Sequence, residues 1–126
     1  MSIESKQNAL EGIGIGDYRS SGTLSQSGKV VFLAATTLTM DINDQVVRVT
    51  TTSDADNTAI TLPSVREAAG RIYSIYFVTR GDDESVVISD KGDDAGLSDI
   101  TLDAADEYSI LYSDGYAWYE IASSHT

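Results

Sequence analysis

His125 is the one histidine of this 126-residue chain, and it is the penultimate residue. A residue so placed is expected to fray, so neither a serine–histidine–acid triad nor a two-histidine metal site is expected. Paired carboxylates can hydrolyse glycosides, but with 20 Asp and Glu in the chain a pair alone is uninformative. Asp90, Asp93, Asp94 and Asp99 are dense enough to attract a hard cation such as calcium, which takes about six to eight oxygens. Their spacing lacks the D-x-[DN]-x-[DN]-G pattern, so a solvated loop is the preferred reading. The "GIGIG" at Gly12, Gly14 and Gly16 lacks the strand and helix that flank a dinucleotide fingerprint. Those glycines suit an arm lying close against another surface. Without cysteine there is no disulfide, thiolate metal site or cysteine nucleophile. The expectation is a protein without cofactor, metal or catalytic residues, not an enzyme.

One aromatic group remains. Tyr116, Trp118 and Tyr119 stand beside Asp114 and Glu120, which could form a sugar-stacking platform. Asp114 and Gly115 suit a two-residue type I′ hairpin loop. That register pairs Tyr112 with Ala117, Ile110 with Tyr119 and Tyr108 with Ile121. Alternation then places Tyr108, Ile110, Tyr112, Ala117, Tyr119 and Ile121 on one face, taken as core, and Leu111, Tyr116 and Trp118 on the other. With Tyr119 inside, only Tyr116 and Trp118 are left for a ligand. Carbohydrate is thus a lesser possibility than a protein interface.

The elements that carry these residues are short β-branched and aromatic runs from Lys29 onward: "KVVFLA", "TTLTMD", "QVVRVTTT", "AITLP", "RIYSIYFVT", "SVVISD", "DITLD", "EYSILYS" and "YAWYEIA". Asp, Gly and Asn clusters separate them. The pattern predicts an all-β domain over residues 29–126, an antiparallel β-sandwich or β-barrel with one short helix, behind an extended N-terminal arm over residues 1–28. The arm is rich in Ser and Gly and has no sustained period. In "RIYSIYFVT", Tyr73, Ile75 and Phe77 fill one face while Ile72, Tyr76 and Val78 make the other apolar too. A strand apolar on both faces is central, or is buried against another chain. Homo-oligomerisation is the favoured explanation.

The stretch "TLPSVREAAGRIY" reads as a connection and not as a ligand loop. Pro63 cannot continue a central ladder. Ser64 and Glu67 form a capping-box pattern, and Gly70 suits a left-handed C-terminal cap after a single helical turn. Arg66 is left to point outward.

Charge narrows the partners. The net charge is −12, and residues 81–126 hold twelve acids against Lys91 alone. Nucleic-acid binding runs on clustered Lys and Arg, so neither nucleic acid nor an anionic membrane is expected. No apolar run of about 18 residues is present to span a bilayer, and no signal-like start is seen. The chain reads as soluble.

Residues 59–121 resemble a β-rich module of tailed-bacteriophage virion proteins, found in capsid-decoration (cement) proteins and in tail or head fibre domains. The resemblance rests on Leu62 and Pro63, on Gly70, Arg71, Ile72 and Tyr73, and on Ser113, Asp114, Gly115 and Trp118. It implies a homotrimer on the outer capsid surface that binds the major capsid protein and stabilises the shell. Ile72, Tyr76, Val78, Leu111, Tyr116 and Trp118 would then form the oligomer interface, and Ile3, Leu10, Ile13 and Ile15 of the arm the capsid contacts. A receptor-binding or carbohydrate-binding fibre domain is the alternative. The chain has no heptads and no internal repeat of the kind a fibre shaft carries.

Overall fold

The computed structural model describes residues 28–52, 56–93 and 95–125. The expected arm contacts Ile3, Leu10, Ile13 and Ile15, the "GIGIG" glycines and Asp94 lie outside the described residues.

Nine strands are formed among the described residues: β1 (Lys29–Leu33), β2 (Thr37–Thr39), β3 (Asp44–Thr50), β4 (Thr58–Thr61), β5 (Ile72–Thr79), β6 (Val86–Ser89), β7 (Ile100–Leu102), β8 (Tyr108–Ser113) and β9 (Trp118–Ser124). They build two separate sheets, one of five strands in the order β9-β8-β5-β3-β1 and one of four in the order β2-β4-β6-β7. The fold is all-β, and neither sheet closes into a barrel.

The expected antiparallel arrangement is corrected, because four of the strand pairings are parallel: β1 with β3, β3 with β5, β2 with β4 and β4 with β6. From β1 to β6 the chain alternates between the sheets, so each parallel crossover is itself a strand of the other sheet. It winds as a coil with two strands per turn. Val47 pairs with Ile75 and Ile60 with Ile88, a step of 28 residues in both sheets (75 − 47 and 88 − 60). The antiparallel strands β7, β8 and β9 finish the stack.

One core lies between the sheets. Val47, Val49, Tyr73, Ile75, Phe77 and Leu111 enter it from the larger sheet, and Ile60, Val86, Ile88 and Leu102 from the smaller; all are fully buried. Burying each such aliphatic side chain contributes about 1.5–3 kcal/mol. Tyr73 meets Trp118 edge-to-face, with ring centroids 5.7 Å apart, while its hydroxyl donates to the carbonyl of Ile42 (2.8 Å).

Residues 65–70 form consecutive turns in place of the expected short helix. The amide of Ala68 donates to Ser64 O, but those of Gly70 and Arg71 turn to Ser113 O and Ala68 O. The hydroxyl of Ser113 donates to Val65 O (2.6 Å), so the connection is stitched to the end of β8 before a helix can propagate. Gly70 does hold the left-handed conformation expected of it, with φ +80°.

The hairpin loop is longer than Asp-Gly chemistry alone predicts. Asp114 Oδ1 accepts from the amides of both Tyr116 and Ala117 (2.8 Å each), which opens a four-residue loop. Trp118 therefore pairs with Ser113 and Tyr119 with Tyr112, two residues out of the expected register. A bulge between Glu120 and Ala122 leaves Ile121 unpaired.

Candidate functional site

The hairpin faces are the reverse of those expected. Ser109, Leu111, Ser113 and Trp118 point into the core, while Tyr108, Ile110, Tyr112 and Tyr119 lie outward. Leu111 and Trp118, expected at an oligomer interface, are buried inside their own chain. Small residues can face inward here because Ser113 and Ser109 each have a hydrogen-bond acceptor there, Val65 O and Glu120 Oε2, and Tyr73 and Trp118 occupy the space beside them.

The consequence is a broad outer face on the five-stranded sheet. Cross-strand partners share a face, so the register defines its rows. Phe32, Arg48, Tyr76, Tyr108 and Ser124 form one row across all five strands. Val30, Val46, Ser74, Ile110 and Ala122 form the next, and Ile72, Tyr112 and Tyr119 a third. Phe32 is 78% exposed, and Val30, Ile72 and Tyr119 are exposed as well. Arg48 is the only charged residue in the three rows, although the chain carries 20 acids. The smaller sheet turns a different surface outward: Thr37, Thr39, Ala59 and Thr101 are exposed there.

The central row is held in place by specific contacts. The guanidinium of Arg48 lies over the Tyr76 ring, 5.5 Å from its centroid, and Tyr76 stacks on Tyr108 at 6.5 Å with the planes 11° apart. From the loop before β8, Asp106 accepts the Tyr76 hydroxyl (2.7 Å). That bond raises the Tyr76 pKa above its ordinary 10.0. Asp106 adopts φ +72°, the one left-handed non-glycine among the described residues. At the corner of the face Phe32, Leu33, Ala34, Arg48, Thr50 and Val78 line a largely apolar hollow of about 330 Å³.

Of the expected interface residues, Ile72, Tyr76 and Val78 lie on this outer side of β5, and Tyr116 is 85% exposed in the hairpin loop. The face as a whole was missed, since its Tyr108, Ile110, Tyr112 and Tyr119 were assigned to the core. The available signal was "KVVFL", where Val30 and Phe32 make an edge strand apolar on both sides.

A second surface lies between the edges of β7 and β9. Leu97, Asp99, Thr101, Trp118, Glu120 and His125 are among the residues lining a groove of about 550 Å³. There Glu120 Oε2 accepts the Ser109 hydroxyl (2.5 Å) and meets His125 Nε2 (2.7 Å). The carboxylate thus stands between serine and imidazole, whereas nucleophile activation needs the imidazole between the other two.

Asp90, one of the candidate calcium ligands, is buried, and its Oδ2 accepts the amides of Ala95 (3.1 Å) and Leu97 (3.0 Å). It organises the loop before β7. Among the described residues no group of three His, Cys, Asp or Glu side chains is placed to hold a metal ion. No helix among them is long and apolar enough to cross a membrane.

Comparison with models of known protein families, with curated proteins and with solved structures finds no match.

Proposed function

We propose that this chain is a non-enzymatic structural protein of a bacteriophage virion, a trimeric decoration (cement) protein that binds the outer capsid surface and stabilises the shell. The observation that carries the reading is the uncovered outer face of the five-stranded sheet. Three of its five strands, β1, β3 and β5, run parallel, and parallel sheets are ordinarily covered on both faces. An apolar face left open in one chain is completed by assembly. The resemblance of residues 59–121 to phage virion modules supplies the kind of assembly, and repeated modest contacts from a trimer give the avidity that a shell-bracing protein needs.

Burial of Trp118 weakens the alternative of a carbohydrate-binding fibre domain, whose platform needed that ring exposed. The direct test is co-sedimentation of the purified protein with phage shells that lack it, combined with the temperature at which the shells rupture. Saturable binding and a raised rupture temperature are expected. Binding to a glycan panel without binding to shells would overturn the reading.

A further inference from the structure

We infer that the outer face of the five-stranded sheet is closed by a second copy of this chain, with Phe32 at the corner of each face seated against the partner copy's hollow. The inference names the partner of the face discussed above, and rests on the assembly reading only for its biological role.

Charge selects the occupant. Two chains of net charge −12 repel one another through most of their surface. The three outer rows hold one cation and no acid, and the Asp106 carboxylate at their edge is bonded to the Tyr76 hydroxyl, so like-charged copies meet here with few opposing carboxylates. A basic partner would gain more from the acids of residues 81–126, twelve against one lysine, than from a surface whose charges are Arg48 and, at its edge, Asp106. An acidic partner would find a single guanidinium, already stacked on Tyr76. A neutral aromatic face fits its own kind.

Size agrees with this choice. Five strands at about 4.8 Å spacing and seven residues of β5 at about 3.3 Å rise give a patch of about 19 Å by 20 Å. That is of the order of the largest apolar patch a monomer exposes, which is often a functional surface.

Shape completes the argument. The projecting Phe32, 78% exposed, borders a hollow of about 330 Å³ lined mostly by apolar atoms. A knob and a hollow on one face suit a contact between copies, because every copy has both a group to insert and a place to receive one.

Light scattering on the full-length chain, over a wide concentration range, tests this with Phe32→Asp and Tyr116→Asp. Both side chains are exposed, so neither change strains the fold, and circular dichroism melting verifies that. The wild type and Tyr116→Asp are expected to form a closed oligomer, and Phe32→Asp to raise its dissociation constant by about a hundred-fold or more. A monomeric wild type at every concentration, or an oligomer indifferent to Phe32→Asp, would overturn the inference. Shell binding by a monomer would sink it, and the trimeric form of the virion reading with it, while sparing the decoration role; an oligomer that ignores shells would do the opposite.

Discussion

Arg48 on β3 and Tyr76 on β5 stand directly opposite one another, with the guanidinium carbon 5.5 Å from the centre of the ring. With Tyr108 stacked beyond Tyr76, the contact turns three flexible side chains into a ridge fixed before any partner arrives. Ordering in advance lowers the entropic cost of forming an interface.

Asp106 anchors that ridge at the expense of a left-handed backbone. Asp106→Ala keeps the strained φ and loses the hydrogen bond, whereas Asp106→Gly relieves the strain. The alanine variant should be less stable than the glycine variant by about 1 kcal/mol in urea unfolding. Tyr76 should also titrate closer to its ordinary 10.0 in both variants, as read by tyrosinate absorbance. Because the folded pKa is raised, the stability linked to Tyr76 is complete below pH 10 and fades as pH climbs through the folded value.

Glu84 contributes to the acid limb of stability. It is buried, and the Thr51 hydroxyl (2.8 Å) together with backbone amides holds its pKa below the ordinary 4.5, burial opposing them. A depressed folded pKa gives stability that is present above 4.5 and disappears as pH falls through the folded value. Melting temperature against pH should therefore drop in that acid window, and Glu84→Gln should flatten the drop. An unchanged acid limb in the variant would contradict this account.

Trp118 is a core residue here. Trp118→Ala should lower unfolding free energy by about 3–5 kcal/mol, while Tyr116→Ala in the exposed loop stays within about 0.5 kcal/mol. Chemical denaturation of the two variants checks the contrast. Equal, small effects would return Trp118 to the surface.

Gly115 and Gly96 share a positive φ but differ in surroundings. At φ +94°, a Cβ on Gly115 would lie 3.2 Å from the Ala69 Cβ, whereas one on Gly96 at φ +62° meets open space. Gly115→Ala should cost more than Gly96→Ala, with the latter limited to about 1–2 kcal/mol of left-handed strain. Thermal unfolding of the pair measures the difference.

The strands and the connection at Pro63 were legible because β-branched runs and breakers act locally. So was the grouping of Tyr108, Ile110, Tyr112 and Tyr119 on one face, since alternation survives a two-residue register shift. Which face is inside was not legible. Hydropathy favours Tyr-Ile-Tyr over Ser-Leu-Ser, and only the acceptors Val65 O, distant in sequence, and Glu120 Oε2, on the next strand, let Ser113 and Ser109 be buried. Strand direction was equally hidden: a period of two is the same in parallel and antiparallel sheets, and positions 28 apart, such as Val47 and Ile75 or Val49 and Phe77, share apolar character without a repeating motif.

The central claim, that copies of this chain meet through the outer face of the five-stranded sheet, is tested most directly by thiol protection. The chain has no cysteine, so Val30→Cys on that face and Thr39→Cys on the outer side of the smaller sheet each provide a single thiol at an exposed position. The account expects the thiol at 30 to react slowly in concentrated protein and faster on dilution, and the thiol at 39 to react quickly throughout. Equal, concentration-independent rates at both positions would contradict it.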